Sequence, residues 1–186
     1  IVNKATPTLT LTFNGTADNI TINDSGSVDI QGTGGEGTLE LLRETTTIAG
    51  STSPVSTTEA FTTVGVHNIT LRHNETQNYT HNDVTRTITV VDTIPPGLVT
   101  SLQNTSRGES WLYWTWTLPL DADFDHVEIW LNGTFKTNST GTSYNATALN
   151  ADTLYELRIR SVDTHGVKSA YANDTGKTRV TTDTTP

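Results

Sequence analysis

A chain of 186 residues has room for one large domain or two small ones, and with no Cys it excludes thiol catalysis, cysteine-ligated metals and disulfide stapling. Its 20 acidic and 11 basic residues give a net charge of −9 with no basic cluster, which argues against nucleic acid as a partner. The space left by a 33% hydrophobic and 17% charged composition is filled by 40 Thr and 12 Ser, and β-branched Thr favours strands over helices.

Leu9, Leu11 and Phe13 alternate with Thr8, Thr10 and Thr12, the period of two expected of a strand with one buried face. Ile20 with Ile22, Val28 with Ile30, Leu39 with Leu41, Ile69 with Leu71 and Ile88 with Val90 repeat it. Between them Asn14-Gly15, Asp24-Ser25-Gly26, the run from Gly32 to Gly37 and the Ser/Thr/Pro stretch from Ala49 to Thr58 read as turns and loops, the glycine run as a mobile one. Pro95-Pro96 fixes φ twice and removes two donors, so it ends the ladder before it and divides the chain into residues 1–92 and 93–186. In the second half Leu112, Trp114 and Trp116 share one face while Trp111, Tyr113 and Thr115 share the other. Val127, Ile129 and Leu131 follow, then Tyr155, Leu157 and Ile159. Short strands at regular spacing predict an all-β chain of two tandem β-sandwiches. Asp183 near the end repeats the Asp-Thr-x-Pro of Asp92, so the expected setting is a tandem array with further copies or domains as neighbours. No apolar run approaches the roughly 18 to 20 residues of a membrane span, so no direct membrane insertion is expected.

The second half resembles a fibronectin type III domain from Pro95 to about Thr182. Pro95-Pro96 with Val99 and Leu102 matches the opening strand, Trp116 with Pro119 the core tryptophan and its following proline, and Leu149, Thr153 and Tyr155 the tyrosine corner. The resemblance implies a seven-stranded sandwich in which the Tyr155 hydroxyl meets nearby backbone. The first half, from about Thr6 to Val91, is similar to Ig-like repeats found in large bacterial and archaeal cell-surface proteins. The likeness is carried by Pro7 to Gly15 and by Gln77 to Val90.

Asn-x-Ser/Thr sequons occur at Asn14, Asn19, Asn23, Asn68, Asn74, Asn78, Asn104, Asn132, Asn138, Asn145 and Asn173. They take eleven of the 14 Asn, where random placement of Ser and Thr would give about 4. Asn-Gly-Thr at Asn14 and Asn132 is also good turn chemistry. Dense acceptors without cystines predict covalent N-glycans on an extracellular cell-surface protein. Its role is read as structural, in a stalk, surface layer, adhesin or filament, with no catalysis and no cofactor. One variant has Ala5 to Phe13 donated to a neighbouring subunit, against the simpler reading of a first strand in its own domain. The alternative class is a carbohydrate-binding or adhesive accessory module using Trp111, Tyr113 and Trp130.

Metal and catalytic chemistry find little support. Asp121, Asp123 and Asp125 alternate like the first ligands of a calcium loop, but the sixth and twelfth positions hold His126 and Asn132, so a solvated turn is expected. Asp92 and Asp183 read as turn residues beside proline, and His67, His73, His81, His126 and His165 are scattered.

Overall fold

The computed structural model describes residues 3–181, and among them strands form and helices do not. Asp183 and the closing Thr-Pro motif lie outside the described residues. The chain divides into two compact units that meet at Thr93 and Ile94.

The first unit contains β1 (Leu9–Phe13), β2 (Ile20–Asn23), β3 (Gly26–Gly34), β4 (Thr38–Arg43), β5 (Thr46–Thr52), β6 (Val55–Phe61), β7 (Gly65–His73) and β8 (Asn82–Val91). One sheet has the order β1-β3-β6, and the facing sheet the order β2-β8-β7-β4-β5. The opening segment is shared between them: β1 pairs antiparallel with β3, and β2 pairs parallel with β8, Ile20 opposite Ile88 and Asn23 opposite Val91. The alternating aliphatics meet between the sheets, where Leu11, Phe13, Ile30, Leu41, Leu71 and Ile88 are almost wholly removed from water.

Ala5 to Phe13 belongs to its own sandwich. Ala5 accepts from the Thr80 amide at 2.9 Å and donates to Asn78 O at 2.9 Å, and β1 runs in full register on β3 from Leu9 opposite Gly34 to Phe13 opposite Ile30.

Two loop expectations are corrected. The stretch from Ala49 to Thr58 holds the end of β5 and the start of β6, joined through a cis Ser53–Pro54 bond. Val55 enters the core, while β5 is an edge strand exposed along most of its length, so no hydrophobic period announces it. The glycine run is packed, not a free loop. Gly32 lies in β3 against Leu71, whose Cδ1 would sit 2.3 Å from a Cβ at that position. Gly35, at φ +54°, passes over the His73 ring, and the fully buried His73 donates from Nε2 to Glu36 O at 2.7 Å.

The second unit contains β9 (Thr100–Arg107), β10 (Leu112–Thr117), β11 (Phe124–Leu131), β12 (Thr134–Ser139), β13 (Ser143–Ala146), β14 (Leu154–Asp163) and β15 (Ala172–Lys177). Its seven strands form sheets β13-β10-β9 and β12-β11-β14-β15, all antiparallel. Leu112, Trp114 and Trp116 point inward as their alternation requires, with Trp114 fully buried and Trp116 5% exposed. The Trp114 indole donates from Nε1 to Asp174 Oδ2 of β15 at 3.1 Å, a bond that crosses from one sheet to the other. The same oxygen accepts from the Asn104 amide of β9 at 2.6 Å. The Tyr155 hydroxyl accepts from the Asn150 amide at 2.9 Å, the backbone tie that the tyrosine-corner resemblance implies.

Gly32→Ala forces a methyl against a buried leucine and should cost about 1–3 kcal/mol, while Leu71→Ala should cost about 2–5 kcal/mol. Because both act on one space, the double variant should lose less than the sum in urea unfolding followed by far-UV circular dichroism. All four Trp lie in the second unit, so tryptophan fluorescence reports its unfolding. Asp174→Ala strands the Trp114 and Asn104 donors and should lower that transition by about 1–3 kcal/mol.

Candidate functional site

The chemistry-bearing positions of this chain are its sequon asparagines, and the fold places ten of the eleven on exposed positions, with Asn104 half-buried. Asn14-Gly15 and Asn132-Gly133 form tight turns with φ of 48° and 80°, and 48° and 76°. In both, the side-chain carbonyl accepts a backbone amide: Asn14 Oδ1 from Asp29 at 2.9 Å and Asn132 Oδ1 from Glu156 at 2.8 Å. Asn19 does the same for Thr87 at 2.9 Å. In these three exposed residues the oxygen is the atom that ties to a neighbouring strand, and the amide nitrogen, the atom a sugar would join, is a different one.

A side-chain amide has two N–H donors, and after N-glycosylation it keeps one. Asn68 donates from Nδ2 to Glu44 Oε2 at 3.3 Å and Asn78 to Glu36 Oε2 at 3.1 Å, one bond each, which a glycosylated amide can still make. Asn104 differs, because its Nδ2 donates both to Tyr113 O at 3.1 Å and to Ser106 O at 3.3 Å. Both hydrogens are committed there, so the structure separates Asn104 from the other acceptors. Sequence reasoning missed this because the carbonyls that take both hydrogens, of Ser106 and Tyr113, are brought to Asn104 by the bulged β9–β10 pairing, a tertiary feature.

The edge strands of the second unit each carry a sequon. In the second unit β9, β12, β13 and β15 are the four edges, and they hold Asn104, Asn138, Asn145 and Asn173 respectively. In the first unit Asn23 ends the edge strand β2, and Asn19 directly precedes it.

The outward aromatics fall into two groups. Trp130 packs edge-on against Phe135, ring centroids 5.4 Å apart, and is largely covered by its own hairpin. Trp111 and Tyr113 lie on the outer face of the β9–β10–β13 sheet, where they line a shallow depression with Ser106, Asn145 and Thr147.

Asp121 and Asp125 use their carboxylates within the loop and its neighbours, and Asp123 its backbone. Asp121 Oδ2 accepts the Gly97 amide at 2.8 Å, Asp125 pairs with His126 at 2.7 Å, and the Asp123 backbone carbonyl accepts the Thr164 amide at 2.9 Å. His67 donates to Thr63 O at 2.8 Å, and His81 lies 3.3 Å from Asp83.

Glu128 on β11 is shared by two cations, with Oε1 2.7 Å from Lys168 Nζ and Oε2 2.8 Å from Arg160 Nε. Partial burial acts to raise its carboxyl, but the hydrogen bonds and charges of Lys168 and Arg160 outweigh it and hold the group below the ordinary carboxylate value. Arg160 also stacks over Tyr171, 4.7 Å from the ring centroid.

No family model and no curated protein matches the sequence. Among solved structures, the chain is similar to the fibronectin(III)-like modules of Clostridium thermocellum CbhA, at 14% identity over 91% of this chain and 94% of that one, with a TM-score of 0.43. It is also similar to domains A168-A170 from titin, at 13% identity over 92% and 66% of the two chains, with a TM-score of 0.46. The sixth fibronectin type III domain of human fibronectin type III domain containing protein 3 matches 50% of this chain and 94% of its own length, at 18% identity and a TM-score of 0.43. The chain is an all-β protein of two sandwiches with an Ig-like and fibronectin type III-like strand order, an architecture that rests on the pairing described above.

Because the Glu128 carboxyl is lowered on folding, its stabilisation is present above the ordinary carboxylate range and is lost as pH falls through the folded value. Glu128→Gln should therefore cost about 0.5–1 kcal/mol at pH 7, and the difference from the parent chain should shrink as melts are taken below the ordinary carboxylate value of 4.5 and disappear once pH is below the lowered folded value.

Proposed function

We propose that this chain is a non-catalytic structural segment of an N-glycosylated extracellular surface protein or filament, of the kind archaeal cells display. The observation that carries the reading is the placement of exposed sequons on sheet edges: three of the four edge strands of the second sandwich, β12, β13 and β15, bear one. An unpaired edge is a row of backbone donors and acceptors that invites another chain. A branched sugar beside it makes that approach sterically costly, which lets disulfide-free sandwiches stand in contact with the outside at high local concentration. Sugar is compatible with the fold at ten of the positions, because their asparagines are exposed and none of them commits both amide hydrogens.

The mechanical contribution follows from strand length. β8 and β14 have ten residues each, so each sandwich offers about 33 Å of extended strand along which load can be carried. The partners in this reading are covalent glycans and neighbouring copies or domains of the same protein.

Intact-mass measurement of the protein from its native cell tests the proposal. A mass well above the bare 20.2 kDa per chain segment is expected, with glycopeptide mapping finding sugar at the exposed sequons and Asn104 bare. A bare mass would overturn it, and sugar at Asn104 would overturn the hydrogen-bond criterion used to exclude that site.

A further inference from the structure

The Trp111–Tyr113 depression has one sequon built into its rim. Tyr113 on β10 lies directly opposite Asn145 on β13 in the antiparallel register, which places their Cβ atoms about 4.5–5.5 Å apart on the same outer face. Trp111 is two residues before Tyr113 and therefore on the same side of the strand. Its indole lies over Gly108, where an added Cβ would sit 2.1 Å from Nε1, so a glycine there leaves the space that the ring occupies. Thr147, the third residue of the Asn145 sequon, lines the same depression. The cross-strand partners of the other exposed sequons on paired strands differ: Asn138 faces Glu128, Asn173 faces Arg158, Asn68 faces Thr87 and Asn23 faces Val91. Among these exposed sequons on paired strands, Asn145 is the one whose directly opposite residue is aromatic.

From this juxtaposition we infer that the sugar attached to Asn145 folds back onto the faces of Tyr113 and Trp111 and is held there as part of the sheet surface. The occupant is specified by the covalent bond: the first sugar on Nδ2 starts within a few ångströms of the Tyr113 ring. The C–H face of a pyranose is apolar and slightly positive, which suits the negative face of an aromatic ring. The tether supplies a high effective concentration, so a contact too weak to capture a free sugar is made almost continuously. The exposed Trp111 ring and the half-buried Tyr113 ring would thus be covered without a second protein, and the β13 edge would be blocked by an ordered group.

The inference rests on the glycoprotein reading, and the experiment separates the two. The chain is made in a host that attaches N-glycans, and Asn145 occupancy is mapped first. Glycosidase release from Asn145 should then be about 2–10-fold slower than from Asn138 or Asn173, the factor an aromatic contact gives. Its sugar C–H protons should shift upfield from the ring current. Both effects should disappear in a Trp111→Ala, Tyr113→Ser double variant and persist in Tyr113→Phe, which keeps the ring. Tryptophan-detected melting checks that the variants fold. Equal release rates and unshifted protons at an occupied Asn145 would overturn the inference while leaving the surface-glycoprotein proposal intact, as would a bare Asn145 beside occupied neighbours. Ring-current shifts on an oligosaccharide added to Asn145→Gln, absent from the Asn145-linked sugar, would also overturn it, since the platform would then serve a separate ligand. A chain bare at every sequon would remove both.

Discussion

With no cystine in the chain, the two sheets of each sandwich are held together chiefly by the apolar side chains between them. Every other feature is arranged around that requirement. Each strand contributes alternate residues to the interior, so the outward positions are free to be Thr, Ser and Asn in unusual number. A domain of about 90 residues buries enough surface to stand without covalent staples, provided few inward positions are spent on polar groups. Where polar groups do enter, they are bonded across elements: Asp174 joins β15 to both strands it faces, and His73 anchors the glycine run through Glu36. The inward side of the sequence is conservative chemistry and the outward side is where this protein differs from an ordinary sandwich.

The outward side shows how one residue type can satisfy two demands. At Asn14 and Asn132 a positive φ sets the turn and the side-chain oxygen ties it to a neighbouring strand, at Asp29 and Glu156, while the nitrogen is not the atom used. Turn chemistry and acceptor chemistry therefore use different atoms of the same amide and do not compete. At Asn104 both hydrogens hold the backbone of β9 and β10, and there the two demands conflict. The same motif in sequence thus has two physical meanings, distinguished by which atom is already in use.

Legibility in the sequence followed the burial pattern. The core strands were readable because Leu9, Leu11 and Phe13, or Val127, Ile129 and Leu131, write the pleat directly into the residue order. β5 and β12 were not, since both are edges with few buried side chains and are positioned by the hairpins that lead into them. The glycine run looked free because its constraint, the ring of His73, lies about 40 residues away. The acceptors could be found by motif, whereas the pairing of Asn145 with Tyr113 depends on strand order, which no local pattern encodes.

The parallel pairing of β2 with β8 bears on how the first sandwich responds to tension. A pull that enters near the start of the domain and leaves through its last strand draws β2 and β8 in opposite directions along their own axes. Their hydrogen bonds then lie across the direction of force and are loaded together, whereas a hairpin pulled open from one end loses its bonds one pair at a time. Four short residue pairs, Ile20 with Ile88 through Asn23 with Val91, are placed to act as a shear clamp, a geometry that resists extension out of proportion to its length.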